Sequence, residues 1–71
     1  MQEFENARIM YNKIDLSLND KKIPRYKFAK SIGIPNSTFS DYMKNLKSGK
    51  FIPLKILIRI QEDLKINLVK F

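Results

Sequence analysis

Apolar side chains at Phe4, Ala7, Tyr11, Ile14 and Leu18 recur at steps of three and four residues, which draws one buried stripe along a helix. The stripe predicts a first helix over about 3–19; the alternation of Ile14, Leu16 and Leu18 also fits a short strand, so its end is loosely constrained. Glu3 and Glu5 fall in the first turn, and Lys21 and Lys22 lie past the last, as the helix dipole favours. Pro24 marks the next start, because a first-turn proline gives up no helical hydrogen bond. Phe28, Ala29 and Ile32 then form the inner face of a short second helix over about 24–32, and Gly33 follows where a left-handed residue is expected. Pro35 opens a third helix by the same logic, over about 35–47, with Phe39, Tyr42 or Met43, and Leu46 inward, ending before Ser48-Gly49. Pro53 opens a fourth, over about 53–64, with Leu54, Leu57, Ile58 and Leu64 inward and Ile56 and Ile60 off that stripe. The stretch from Lys65 to Phe71 is too short to assign. These elements predict a single domain spanning the chain: an all-α, compact bundle of four to five short helices.

Length sharpens this picture. A chain of 71 residues buries only about 60% of the surface its unfolded form exposes. Small folds often compensate with disulfides, a metal or a partner. This chain contains neither cysteine nor histidine, so disulfides and the usual zinc-ligand sets are excluded. Helix packing or self-association must supply the stability, and no metal or other cofactor is expected. An enzyme is not expected either: there is little room for a deep pocket, and the commonest nucleophile and base are missing. No stretch approaches the ~18–20 apolar residues of a membrane-spanning helix. The acidic start, Met1-Gln2-Glu3-Phe4-Glu5, lacks the apolar run of a signal peptide. A cytoplasmic protein without a membrane partner is the expectation.

Charge changes the picture most. The net charge is +7, and its distribution is uneven. Lys21, Lys22, Arg25, Lys27, Lys30, Lys44, Lys47 and Lys50 face only Asp41 between residues 21 and 50, whereas bases and acids balance over the rest. Positive charge concentrated in one region is the footprint of a polyanion binder. A solvated lysine-rich surface is the competing explanation.

That basic region contains helix, Gly turn, helix. The turn runs Ile32-Gly33-Ile34, with Ala29 four residues before the glycine. Two helices meeting at ~90–120° across a short turn need a glycine to reverse the backbone and a small residue where they cross. Ile34 and Phe39 fit as plugs in the angle between them. The stretch Phe28-Ala29-Lys30-Ser31-Ile32-Gly33-Ile34-Pro35-Asn36-Ser37-Thr38-Phe39-Ser40 resembles the Leu-Ala-x-x-x-Gly-Ile-x-x-x-Thr-Ile-Ser run of the phage Cro and repressor family of helix-turn-helix proteins (XRE-type, lambda-repressor-like). Ser48-Gly49-Lys50 and the run Pro53-Leu54-x-x-Leu57-Ile58-x-Ile60-x-x-x-Leu64-x-Ile66-x-Leu68 are similar to that family's Gly turn and fourth helix. The chain departs from it in having Pro24 and Pro35 where Thr or Ser is common, and in a longer segment from Ser40 to Pro53.

The resemblance implies a sequence-specific regulator of transcription that binds double-stranded DNA, a small phage, prophage or mobile-element repressor that occupies an operator. Helix 3 would lie in the major groove with its N-terminal residues at base edges. Asn36, Ser37 and Asp41 fall at base-reading positions, with Ser40 beside them. The side-chain chemistry is compatible with base reading, since Asn bonds adenine at two points, Ser reads flexibly, and Asp accepts from cytosine N4. Helix capping is the competing role for Asn36 and Ser37; Thr38 is expected to pack against helix 2. Arg25, at the start of helix 2, corresponds to a family position on the phosphate backbone. Lys44, Lys47 and Lys50 flank the far end of helix 3 as further phosphate contacts, with Lys27 and Lys30 at the periphery.

Ile56, Ile60, Ile66, Leu68, Val69 and Phe71 make an apolar surplus near the C-terminus, for packing onto helix 1 or for a homodimer interface. A homodimer would read palindromic half-sites about one helical turn apart. Two other readings compete. A helix-turn-helix protein-interaction module (anti-repressor, antitoxin or adaptor) would bind a regulatory protein partner and DNA only weakly. A nonspecific nucleic-acid binder would lack sequence readout, but no aromatic platform for stacking single-stranded bases is evident.

Overall fold

Three of the four helices begin one residue after a proline, and the fold follows from that punctuation. The computed structural model describes the backbone of residues 2–68 and the side chains of residues 7–68. It contains α1 (Gln2–Asp20), α2 (Arg25–Ser31), α3 (Asn36–Lys47) and α4 (Leu54–Leu64), with no strand among the described residues. The protein is all-α. The alternation at Ile14, Leu16 and Leu18 does not produce a strand; α1 runs through it because Ile14 and Leu18 are buried on one helical face while Leu16 is 68% exposed.

Pro24, Pro35 and Pro53 are N-caps and not first helical residues, so α2, α3 and α4 each start one residue later than the sequence predicts. Each proline is extended, and its carbonyl accepts the first helical bond: Phe28 N–H at 3.1 Å, Phe39 N–H at 3.0 Å and Leu57 N–H at 3.2 Å. No side chain caps any of the three starts.

The helix ends share one geometry. After α2, Gly33 has φ +81°, its N–H donates to Lys30 O, and Ile34 N–H donates to Ala29 O. This is the Schellman arrangement, which satisfies the last carbonyls and turns the chain sharply. Gly49 (φ +90°) repeats it after α3, with Lys50 N–H on Asn45 O at 2.7 Å. Lys22 and Lys65, both at φ +56°, occupy the equivalent left-handed positions after α1 and α4.

Packing follows the predicted stripes on three helices. Ala7, Ile14 and Leu18 of α1, Phe28 and Ala29 of α2 with Ile32 beyond its end, and Phe39, Met43 and Leu46 of α3 are buried in one cluster. Met43 takes the core position and Tyr42 is only partly buried against it. Phe28 and Phe39 meet edge to face, ring centroids 5.6 Å apart, and lock α2 to α3. α1 packs on α3 and α4. Phe4, Glu3 and Glu5 lie outside the residues whose side chains are described.

The fourth helix departs from expectation. Ile60, placed off the stripe by its spacing, is fully buried, and Leu54, placed inward, is 52% exposed. Ile58 is only half-buried. At ~100° per residue, Leu57, Ile60 and Leu64 lie within about 60° of one another, with Leu54 and Ile58 turned to the other side of Leu57. The apolar arc of the helix is broad, running from Ile56 through Leu57 to Ile58 at ~100° per residue, so spacing alone does not choose which part of it faces inward. Contact with α1 chooses it.

Beyond α4 the tail folds back onto the bundle. Leu68 is buried and its N–H donates to Gln61 Oε1 at 2.8 Å, while Ile66 is partly buried against the core. Two side chains from α1 and the turn after it hold this end: Lys13 Nζ donates to Asn67 O at 2.9 Å and Lys21 Nζ to Leu64 O at 2.8 Å. Ile60 and Leu68 therefore belong to the core and not to an exposed apolar surplus, and Ile56 packs partly against it. Val69 and Phe71 lie outside the described residues.

Candidate functional site

Helix α3 turns one face to the core and leaves a polar one outside. At ~3.6 residues per turn, Ser37, Asp41 and Lys44 stand opposite the buried Phe39, Met43 and Leu46, and Asn36, Ser40 and Lys47 run along one edge of that buried face. Asn36, Ser37, Asp41, Lys44 and Lys47 are exposed; Ser40 and Thr38 are half-buried at its margin. The side chains of Asn36, Ser37, Ser40, Asp41 and Lys44 make no hydrogen bond to any described residue. Capping does not occupy Asn36 or Ser37, because Pro35 holds the cap position and offers no side-chain oxygen. Their first-turn amides also have no intrahelical acceptor.

The phosphate candidates divide into two groups. Arg25 and Lys47 converge on Tyr11 of α1. Arg25 Nη2 donates to Asp15 Oδ1 at 3.1 Å and to the Tyr11 hydroxyl oxygen at 3.3 Å, and its guanidinium carbon lies 5.9 Å from the ring centroid. Lys47 Nζ lies 5.9 Å from the same centroid. The hydrogen bond to Tyr11 raises the Arg25 pKa above its ordinary value; partial burial opposes this and Asp15 adds to it. Arg25 thus stays cationic wherever the protein is folded. The ion pair itself is half-exposed, with side chains 42% and 38% accessible, so it orients the guanidinium more than it stabilises the fold, contributing roughly 0–1 kcal/mol. Lys44 lies one turn before Ser48 on the same helix as Lys47. Lys27 and Lys50 are exposed, and no polar contact ties either to the Arg25–Lys47 group.

Part of the basic excess has other work. Lys21 is committed to the carbonyl end of α4, where a cation complements the helix dipole. Tyr11 and Asp15 are the site residues that sequence reasoning misses. Tyr11 sits on the apolar stripe of α1 and reads there as core; the signal pointing elsewhere is its hydroxyl, which a fully buried stripe position has no way to satisfy unaided.

An open groove of about 1030 Å³ lies between the end of α1 and the end of α4, lined among others by Lys13, Leu16, Ser17, Lys21, Leu64 and Ile66. Asp20 also lines it and forms no ion pair among the described residues. Among the described residues no three metal-ligating side chains cluster, and no helix is long and apolar enough to cross a membrane.

Comparison with known proteins returns no match, whether to a protein family, a curated protein or a solved structure. The functional reading therefore rests on the residues themselves.

Proposed function

We propose that this protein is a sequence-specific double-stranded DNA-binding regulator, a small repressor of the phage, prophage or mobile-element kind, which inserts α3 in the major groove. One observation carries the reading: the outward face of α3 and its edge present Asn36, Ser37, Ser40, Asp41 and Lys44, whose side chains make no hydrogen bond to any described residue. Base edges need donors and acceptors of this kind, displayed on an element narrow enough for the groove. Asn36 and Ser37 read bases at the leading end, with Ser40 and Asp41 one turn on. Lys44, Lys47, Lys50, Arg25 and Lys27 hold the backbone and set register. Binding as a homodimer to paired half-sites would supply the contacts that one helix lacks. Of the C-terminal apolar residues, Ile56 and Ile66 keep accessible surface for that interface.

The test is fluorescence anisotropy with the DNA upstream of its own coding sequence and a scrambled duplex of equal length, at two salt concentrations. A preference of ~10³-fold or more that survives the higher salt supports the reading. Equal binding that collapses with salt reduces it to counterion release. Absence of binding favours the protein-interaction alternative.

A further inference from the structure

The Tyr11 cluster joins all three helices that surround the proposed interface: Tyr11 and Asp15 from α1, Arg25 from α2 and Lys47 from α3. Its charges do not cancel. Two cations lie beside the same aromatic ring, each 5.9 Å from its centroid, against a single carboxylate. Its donors are not used up either. A guanidinium has five N–H groups, and both hydrogen bonds of Arg25 run through Nη2. The Nη1 and Nε groups are left without a partner among the described residues, and a guanidinium's spare donors match the oxygens of a phosphate. Tyr11 accepts from Arg25 through its oxygen, so its own O–H is left to donate. The Lys47 ammonium makes no hydrogen bond to any described residue.

We infer that Tyr11, Arg25 and Lys47 form a preassembled phosphate clamp, in which Tyr11 both positions the two cations and donates to a phosphate oxygen. The phosphate is one of the duplex backbone, so the inference rests on the DNA reading above and deepens it. Asp15 has a defined part: it holds one end of the guanidinium so that the remaining donors stay free. Rotamer entropy that a free arginine would lose on binding is already lost in the fold. Lys27, Lys30 and Lys50, with no such bracing, act as diffuse charges.

The experiment separates the clamp from the DNA reading. The full chain, ¹⁵N-labelled, is titrated with inorganic pyrophosphate while the Nε–H signals of its three arginines, Arg8, Arg25 and Arg59, are followed by NMR. Arg25 should respond at roughly tenfold lower pyrophosphate than Arg8 and Arg59, the advantage expected of one extra charge-assisted hydrogen bond. Tyr11→Phe should remove part of that advantage and Tyr11→Leu all of it, with amide spectra that remain those of the folded protein. If Arg25 responds no earlier than Arg8 and Arg59 in the unsubstituted chain, the clamp is overturned whatever the variants do. A second arm measures duplex affinity against salt. Tyr11→Phe should lower the slope of log K against log salt by about one contact and leave operator preference intact. An unchanged slope for a folded Tyr11→Phe, in a protein that does bind duplex, overturns the backbone assignment. Failure of the unsubstituted chain to bind any duplex, with the Arg25 response to pyrophosphate present, overturns the DNA reading alone and leaves a phosphate site.

Discussion

Replacing Gly33 by alanine tests the turn on which the α2–α3 geometry depends. The residue sits at φ +81°, and a Cβ built there meets no heavy atom within 4 Å. The cost is therefore backbone strain without any clash. A non-glycine residue in the left-handed region loses roughly 1–2 kcal/mol, partly offset by the lower unfolded-state entropy of alanine, about 0.4–1 kcal/mol. A net loss of about 1 kcal/mol is expected, against a total stability of about 4–11 kcal/mol for a chain of this size. The same reasoning has an opposite sign elsewhere. Lys22 occupies a left-handed position at φ +56°, so Lys22→Gly should gain about 1 kcal/mol. Urea unfolding followed by circular dichroism at constant m-value measures both, and the melting temperatures should move apart by about 4–8 °C for each kcal/mol. Gly33→Val should be worse than Gly33→Ala, because a β-branched residue is a poorer fit to positive φ. A Gly33→Ala protein as stable as the original would refute the strain argument. A loss above about 3 kcal/mol would refute it too, since open space around the Cβ leaves nothing else to account for it.

Three further outcomes follow from the packing and the outward face of α3. Ile60→Ala should cost about 2–5 kcal/mol and Leu54→Ala no more than about 0.5 kcal/mol in the same unfolding assay, because one is fully buried and the other half exposed; comparable losses would contradict the inner face of α4. Changing Asn36 and Ser37 together to alanine should abolish operator preference while weak, salt-sensitive binding persists, whereas Lys44→Ala should weaken binding to all duplexes alike; equal losses on operator and random DNA for the Asn36/Ser37 pair would remove them from base reading. Lys21→Met should cost about 1 kcal/mol through the carbonyl of Leu64, and hydrogen exchange should show faster opening confined to the end of α4 and residues 66–68; unchanged protection there would show that the ammonium contact is idle.

Helix boundaries were legible to within a residue because their signals are local. Pro24, Pro35 and Pro53 lack an N–H, and Gly33 and Gly49 tolerate positive φ at no steric cost. The end of α1 was the loosest of them, since Lys22 turns the chain there without a residue type that announces it. The outward face of α3 was legible for the same reason as its core face: Phe39, Met43 and Leu46 leave only one orientation for a helix with polar residues on the remaining sides.

What the chain's own order of residues determined, then, is the set of elements and the inner faces of α1, α2 and α3, because both depend on neighbours within one or two turns. The tertiary structure decided everything that depends on which surface meets which. It buried Ile60 and exposed Leu54 within the broad apolar arc of α4, drew the tail with Leu68 into the core, and committed Lys21 to a helix terminus. It also left Tyr11 only partly buried against the core and brought Arg25 and Lys47, which lie on two other helices, beside its ring. Periodicity reports only the preferences of a segment for apolar or aqueous surroundings; a pairing between distant side chains arises only when the burial of other residues has brought their helices together.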